Sequence, residues 1–289
     1  MALARFFTAF FVSLPAFSLL AQDANGSAAA EGNDAPDRID LSNFPGQLVD
    51  KVVVPIPAEI FAVLDKLDEP NWISGVQLPE EVSDSRERAF LALGFGSVVA
   101  EGFIAVQAKS ADDIQDIGRR ALKLAEALGL ADAVRPHSLS IIESAGEGDW
   151  AKVRDELDST QQTVRDTMEQ LRDAELSSLV SLGGWLRGTN VVTGFVTESF
   201  SEDKAELLNQ PGLIAHFREM LNAMEGPVKE SQEMKLLISG LARMEAIIVE
   251  NTKISEDSVN QLHTISREML ESYYFKKSKT NNSEESSSN

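Results

Sequence analysis

Two ionisable side chains stand inside the most apolar stretches of this chain, and they offer its sharpest chemistry. Glu101 interrupts Ala89–Val106 (AFLALGFGSVVAEGFIAV), where Ser97 is the only other polar side chain in 18 residues. Arg187 interrupts Leu176–Phe200, within SLGGWLRGTNVVTGF (Ser181–Phe195), a run that also holds four glycines. On a helix, Glu101 shares its face with Phe90, Gly94, Ser97, Ala105 and Ala108, and no solvated face exists elsewhere on that helix. A carboxylate buried alone either costs several kcal/mol or stays protonated, so Glu101 requires a partner.

Arg187 shares a helical stripe with Gly183, Asn190, Gly194 and Glu198, opposite Leu182, Trp185, Leu186, Val192 and Val196. Three arrangements satisfy these residues. Glu101 and Arg187 meet between two central helices, with Ser97 and Asn190 completing a buried polar network; or Arg187 points to solvent along a thin polar stripe; or the network lines a pocket in which Arg187 takes a ligand carboxylate or phosphate. The glycines Gly94, Gly183, Gly184, Gly188 and Gly194 are read as thinning these helices so that their backbones approach closely.

Other chemistry is sparse. His216-x-x-Glu219 sets two metal-ligating groups one turn apart, but neither a second such pair nor His-Glu-x-x-His accompanies it, so no metal or other cofactor is expected. Gly94-Phe95-Gly96-Ser97 lies within a helical pattern, so it is neither a nucleophile elbow nor a dinucleotide loop. The absence of cysteine excludes disulfides, thiolate metal sites and thiol catalysis. No catalytic motif emerges, and the chain is read as a non-enzyme.

The elements that must position Glu101 and Arg187 are almost all helical. The core helices are expected at about 86–109 and 175–200, apolar all round and therefore central. Around them the punctuation marks amphipathic helices. Ser110 with Asp113 opens Asp112–Leu128 and Gly129 closes it; Pro136 opens His137–Ala145; Asp149 caps a helix whose seam is Val153, Leu157, Val164, Met168 and Leu171. Ser201, Pro211, Ser231 and Ser255 open the rest. Leu48–Pro57 is the one β-branched stretch, expected to lie as an extended arm without a strand partner. The expectation is an all-α multi-helix bundle of about ten helices, forming a single domain over 41–277.

The ends point to where the protein works. Arg5, the apolar run Phe6–Ala21 and a polar sequel give the pattern of a signal peptide over 1–21, followed by a disordered spacer over 22–40 and a disordered polar tail over 278–289. With no cysteine in an exported chain, a bacterial periplasmic or secreted location is expected, with no integral span once the signal is removed. Forty-six acidic against 26 basic residues give a net charge of −20, which disfavours nucleic acid and anionic lipid as partners. The functional expectation is a periplasmic binding or structural-support module acting on an unknown protein or small ligand. A ligand cavity around Glu101 and Arg187 is the first alternative, and a carboxylate- or metal-dependent enzyme is the second.

Overall fold

In a computed structural model, residues 47–49, 52–54, 57–67, 70–79, 87–171, 173–250 and 253–275 are described. The expected signal peptide, spacer and polar tail lie outside them. All described residues fall within one unit, Ile39–Asn289.

The chain is an all-α multi-helix bundle. Two short strands come first, β1 (Gln47–Val49) and β2 (Val52–Val54). They correct the expectation of an unpartnered arm, because the β-branched run supplies its own partner: Gln47 pairs with Val54, Leu48 with Val53 and Val49 with Val52, antiparallel. Then follow α1 (Pro57–Leu64), α2 (Trp72–Gly75), α3 (Arg88–Gln107), α4 (Ala111–Leu128), α5 (Ala131–Glu147) and α6 (Trp150–Gln170). After them come α7 (Ala174–Glu198), α8 (Glu202–Glu206), α9 (Pro211–Ala223), a 3₁₀ turn at Pro227–Glu230, α10 (Gln232–Glu250) and α11 (Glu256–Tyr273).

Local chemistry explains most of the boundaries. The side chains of Ser110, Asp173, Ser201 and Ser255 accept backbone N–H bonds from the first turns of α4, α7, α8 and α11. Gly129 and Gly148 end α4 and α5 at φ +82° and +75°, a left-handed conformation that glycine adopts without Cβ strain. Helix α5 departs from expectation. It starts at Ala131, so Pro136 lies inside it rather than opening it. The proline forfeits only the bond to the Asp132 carbonyl, and both residues are exposed, so water serves that oxygen. Burial of Val134, Ser138, Ile141 and Ala145 holds the turn before it in the helix. The α6 seam likewise ends at Met168, leaving Leu171 53% exposed.

Helices α3 and α7 form the centre and run parallel: Leu93 lies against Gly183, Glu101 against Arg187, and Ile104 against Val191 and Phe195. A parallel pair needs a long return, which α4, α5 and α6 provide by packing successively from α3 outward. On the other side α11 packs on α7, with α10 on α11 and α9 on α10. Helix α3 also touches α1, α2, α6 and α11, so it is enclosed on every side and has no solvent face for sequence to record as polar. Among the described residues α3 alone is long and apolar enough to cross a membrane, and 89% of its apolar window is buried within the bundle.

Candidate functional site

The site begins with the crossing of α3 and α7. A Cβ on Gly183 would stand 2.0 Å from the Leu93 carbonyl oxygen, and one on Gly96 would stand 1.9 Å from that of Val180. Gly184 faces the Gly96 carbonyl at 3.3 Å. These three glycines let the two backbones touch, as in close helix pairs generally. Sequence had named Gly183 and Gly184 for this role but not Gly96. It had also named Gly94 and Gly188, which is corrected here: a Cβ at either meets nothing within 4 Å. Gly194 faces only the His263 ring, at an ordinary 3.4 Å.

One turn beyond the crossing, Glu101 and Arg187 meet. Arg187 Nε donates to Glu101 Oε1 at 2.6 Å and Nη2 to Oε2 at 3.2 Å, with both side chains almost wholly buried. The carboxylate also accepts from the Gln77 backbone N–H at 3.0 Å and, at a longer 3.4 Å, from the Tyr274 hydroxyl. Burial pushes the Glu101 carboxyl above its ordinary range, while the Arg187 charge and these hydrogen bonds pull against that rise. The guanidinium has further obligations. Its Nη2 donates to the Gly75 carbonyl at 2.5 Å, and its Nη1 to Asn190 Oδ1 at 3.3 Å. The solvent-directed arrangement of Arg187 is thereby overturned.

Of the two neutral residues expected beside the pair, Asn190 joins it and Ser97 does not. Asn190 Nδ2 donates onward to Ser266 Oγ at 3.1 Å. Ser97 instead serves the crossing: its Oγ lies 3.0 Å from the Leu93 carbonyl, 3.1 Å from that of Gly183 and 3.0 Å from the Tyr273 hydroxyl. Its single hydrogen goes to a carbonyl, so Tyr273 is the donor to Ser97. Serine bonding the carbonyl four residues back is an ordinary helical habit, and here it pre-empts any link to Glu101.

Beside the pair a cleft of about 550 Å³ opens between α2, α7 and α11. Arg187 and Asn190 lie at its inner end, Val191 and Phe195 form an apolar wall, and Glu198 stands further along α7. The Phe195 ring is itself fixed edge-to-face against Trp72, 5.1 Å between centroids. Helix α11 contributes His263 and Arg267, and Gln77 follows α2. His263 Nδ1 lies 3.1 Å from the Asn190 carbonyl and 3.0 Å from Thr193 Oγ1. A carbonyl only accepts, so Nδ1 carries the hydrogen and Nε2 is left as an acceptor. Burial lowers the His263 pKa, the Asn190 carbonyl opposes this, and the Arg267 and Arg187 charges add to the lowering. Arg267 donates from Nε to Glu271 and from Nη1 to Gln77 Oε1 at 2.8 Å, with its guanidinium over the Phe275 ring.

His263, Arg267, Gln77 and Tyr274 were not among the residues expected at the site. The usable signal lay on α7, where the stripe from Arg187 through Asn190 and Gly194 to Glu198 marks the wall of the cleft.

Two other constellations lie away from the cleft. His216 sits against the Phe217 ring, and among the described residues no third metal-ligating group joins it and Glu219. His137, also passed over, lies between Glu156 (Nδ1, 2.9 Å) and Thr163 (Nε2, 3.0 Å), the order of a hydroxyl–imidazole–carboxylate chain. Thr163 stands in the middle of α6, however, where its hydroxyl also contacts the Ser159 carbonyl and the surrounding backbone N–H groups are committed to the helix. No oxyanion donors can converge there, so the arrangement ties α5 to α6.

No protein-family model matches the chain, and no match is found among curated proteins or solved structures.

Proposed function

We propose that the protein is an exported, non-catalytic binding module that holds a small polar ligand in the cleft between α2, α7 and α11. The observation that carries this reading is a preformed cleft of about 550 Å³ with a buried guanidinium and amide at its inner end. That volume is in the range of small-molecule sites, and a few fixed polar groups beside an apolar wall are what orient a ligand. The donors sit on helices and are held by Glu101, Gly75 and Ser266, so little ordering remains to be done on binding. Catalysis is disfavoured by His263, whose Nε2 has no hydroxyl or carboxylate partner among the described residues.

The test is a thermal-shift screen of small acids, amino acids, short peptides and sugars against the wild-type protein and Thr197→Trp, a substitution that fills the cleft from its half-exposed wall. At least one class should raise the wild-type Tm and leave the variant unmoved. If no class does so, the binding role is lost. The structural-support reading then gains, since Glu101 is fully satisfied within the protein. Export is tested separately by N-terminal sequencing of the mature chain, with a start near Gln22 expected.

A further inference from the structure

The groups along the cleft are ordered by charge, and that order narrows the ligand. Arg187 and Glu198 lie eleven positions apart on one helix, about 16 Å along its axis at 1.5 Å per residue. Helix α11 runs antiparallel to α7, since Ser266 meets Asn190 while Asn260 meets Thr197. Arg267 is thus at the Arg187 end and His263 is midway. Among the described residues four polar functions in the lining have no protein partner: Arg267 Nη2, Gln77 Nε2 beside it, His263 Nε2 and the Glu198 carboxylate. In sequence along the cleft they are a cation with a neutral donor beside it, a neutral acceptor and an anion.

We propose, resting on the binding role above, that the cleft takes a short zwitterionic peptide of three residues in extended form. Its C-terminal carboxylate meets Arg267 and the edge of Arg187, and its α-amino group meets Glu198. Three extended residues span about 10–11 Å, which leaves room for a hydrogen bond of about 2.8 Å at each end of the 16 Å interval. His263 Nε2 accepts a peptide N–H midway, and Val191 and Phe195 face the side chains. Competing chemistries fit less well. A dicarboxylate meets Glu198 at one end, a diamine meets Arg267 at the other, and a simple anion must enter against the field of a chain with net charge −20. A zwitterion carries no net charge and matches both ends.

The experiment is isothermal titration of the full chain with tri-alanine, its N-acetyl form and its C-terminal amide, repeated on Glu198→Gln, at an exposed position, and Arg267→Gln, at a half-exposed one. Tri-alanine should bind the wild type. Blocking either end should weaken it roughly tenfold, the size of one charge-assisted hydrogen bond lost. In Glu198→Gln, acetylation should have no further effect; in Arg267→Gln, amidation should have none. Equal binding of blocked and free peptides, or indifference to both substitutions, overturns the peptide assignment. If tri-alanine fails to bind while another class raises the wild-type Tm in the screen, the peptide assignment falls and the binding role stands. If nothing binds in either experiment, both fall.

Discussion

Replacing Gly183 by alanine tests the helix crossing on which the site depends. The added Cβ would stand 2.0 Å from the Leu93 carbonyl oxygen, whereas real Cβ contacts stop near 3.0 Å. The obstacle is backbone inside a helix, so the two helices must separate locally by about 1 Å, a forced core shift that costs ~1–3 kcal/mol in overpacked cores. The same movement acts one turn away on the ion pair. Its 2.6 Å bond would open to about 3.6 Å, beyond hydrogen-bond length. Ser97 would lose its contact to Gly183 as well. Together the expected loss is ~3 kcal/mol, or about 6–12 °C in Tm for a domain of this size. Gly94→Ala is the control. It lies two turns from Glu101 on the same helix, and its Cβ meets nothing within 4 Å. There alanine's better helix propensity should raise stability by ~1 kcal/mol. Urea and thermal unfolding followed by circular dichroism read both variants. Gly183→Ala as stable as wild type, or Gly94→Ala as damaging as Gly183→Ala, would refute the account of the crossing.

Three further outcomes follow from the site. Glu101→Gln and Arg187→Gln should each cost ~3–5 kcal/mol, and the double variant clearly less than their sum, since each single leaves its partner buried without its charge; additive losses in a double-mutant cycle would show that the two are not coupled. In Arg187→Gln nothing cationic opposes burial at Glu101, so its folded pKa stays above the ordinary 4.5. The stability tied to the protonated form is then fully present below that value and lost as pH rises through the folded value, so the urea midpoint should increase from pH 7 to pH 5; a decrease relative to wild type contradicts this. For His263 the sign reverses: its pKa lies below 6.5, so the stability tied to the neutral ring is present above 6.5 and lost as pH falls through the folded value. His263→Gln should flatten that part of the wild-type urea profile, and an unchanged profile would place the titration elsewhere.

How far the sequence reaches depends on how local each feature is. Ser110, Ser201 and Gly129 act within one turn of themselves, and the helix ends they mark are where their types place them. The core helices were recognisable because enclosure on all sides removes every polar position but those that pair. Errors arose where a local rule met a tertiary gain. Pro136 is tolerated inside α5 because the forfeited bond faces water while Val134 is buried. Gly94 and Gly96 lie two residues apart on opposite faces, so composition could not tell which one meets α7. The α11 half of the cleft was hidden for a different reason. His263 meets Asn190, and Arg267 joins Arg187 in the lining of the cleft, only through the antiparallel return of α11, and no spacing within the chain encodes that placement.

The ion pair and the cleft are linked by what Glu101 does to Arg187. A lone buried guanidinium would be prohibitively costly and would draw any anion to it, in a chain whose surface already repels anions. Glu101 cancels that charge while occupying Nε and one edge of Nη2. Nη2 also holds the Gly75 carbonyl and thus anchors α2, whose Trp72 in turn fixes the Phe195 wall. What remains at the cleft is a directional donor edge with little net charge, held in a single rotamer by three elements. Lysine could keep the charge but not this planar fork. The glycines at the crossing bring the two helices close enough for the fork to span them. The same packing that specifies the register of α3 on α7 therefore shapes the inner end of the cleft.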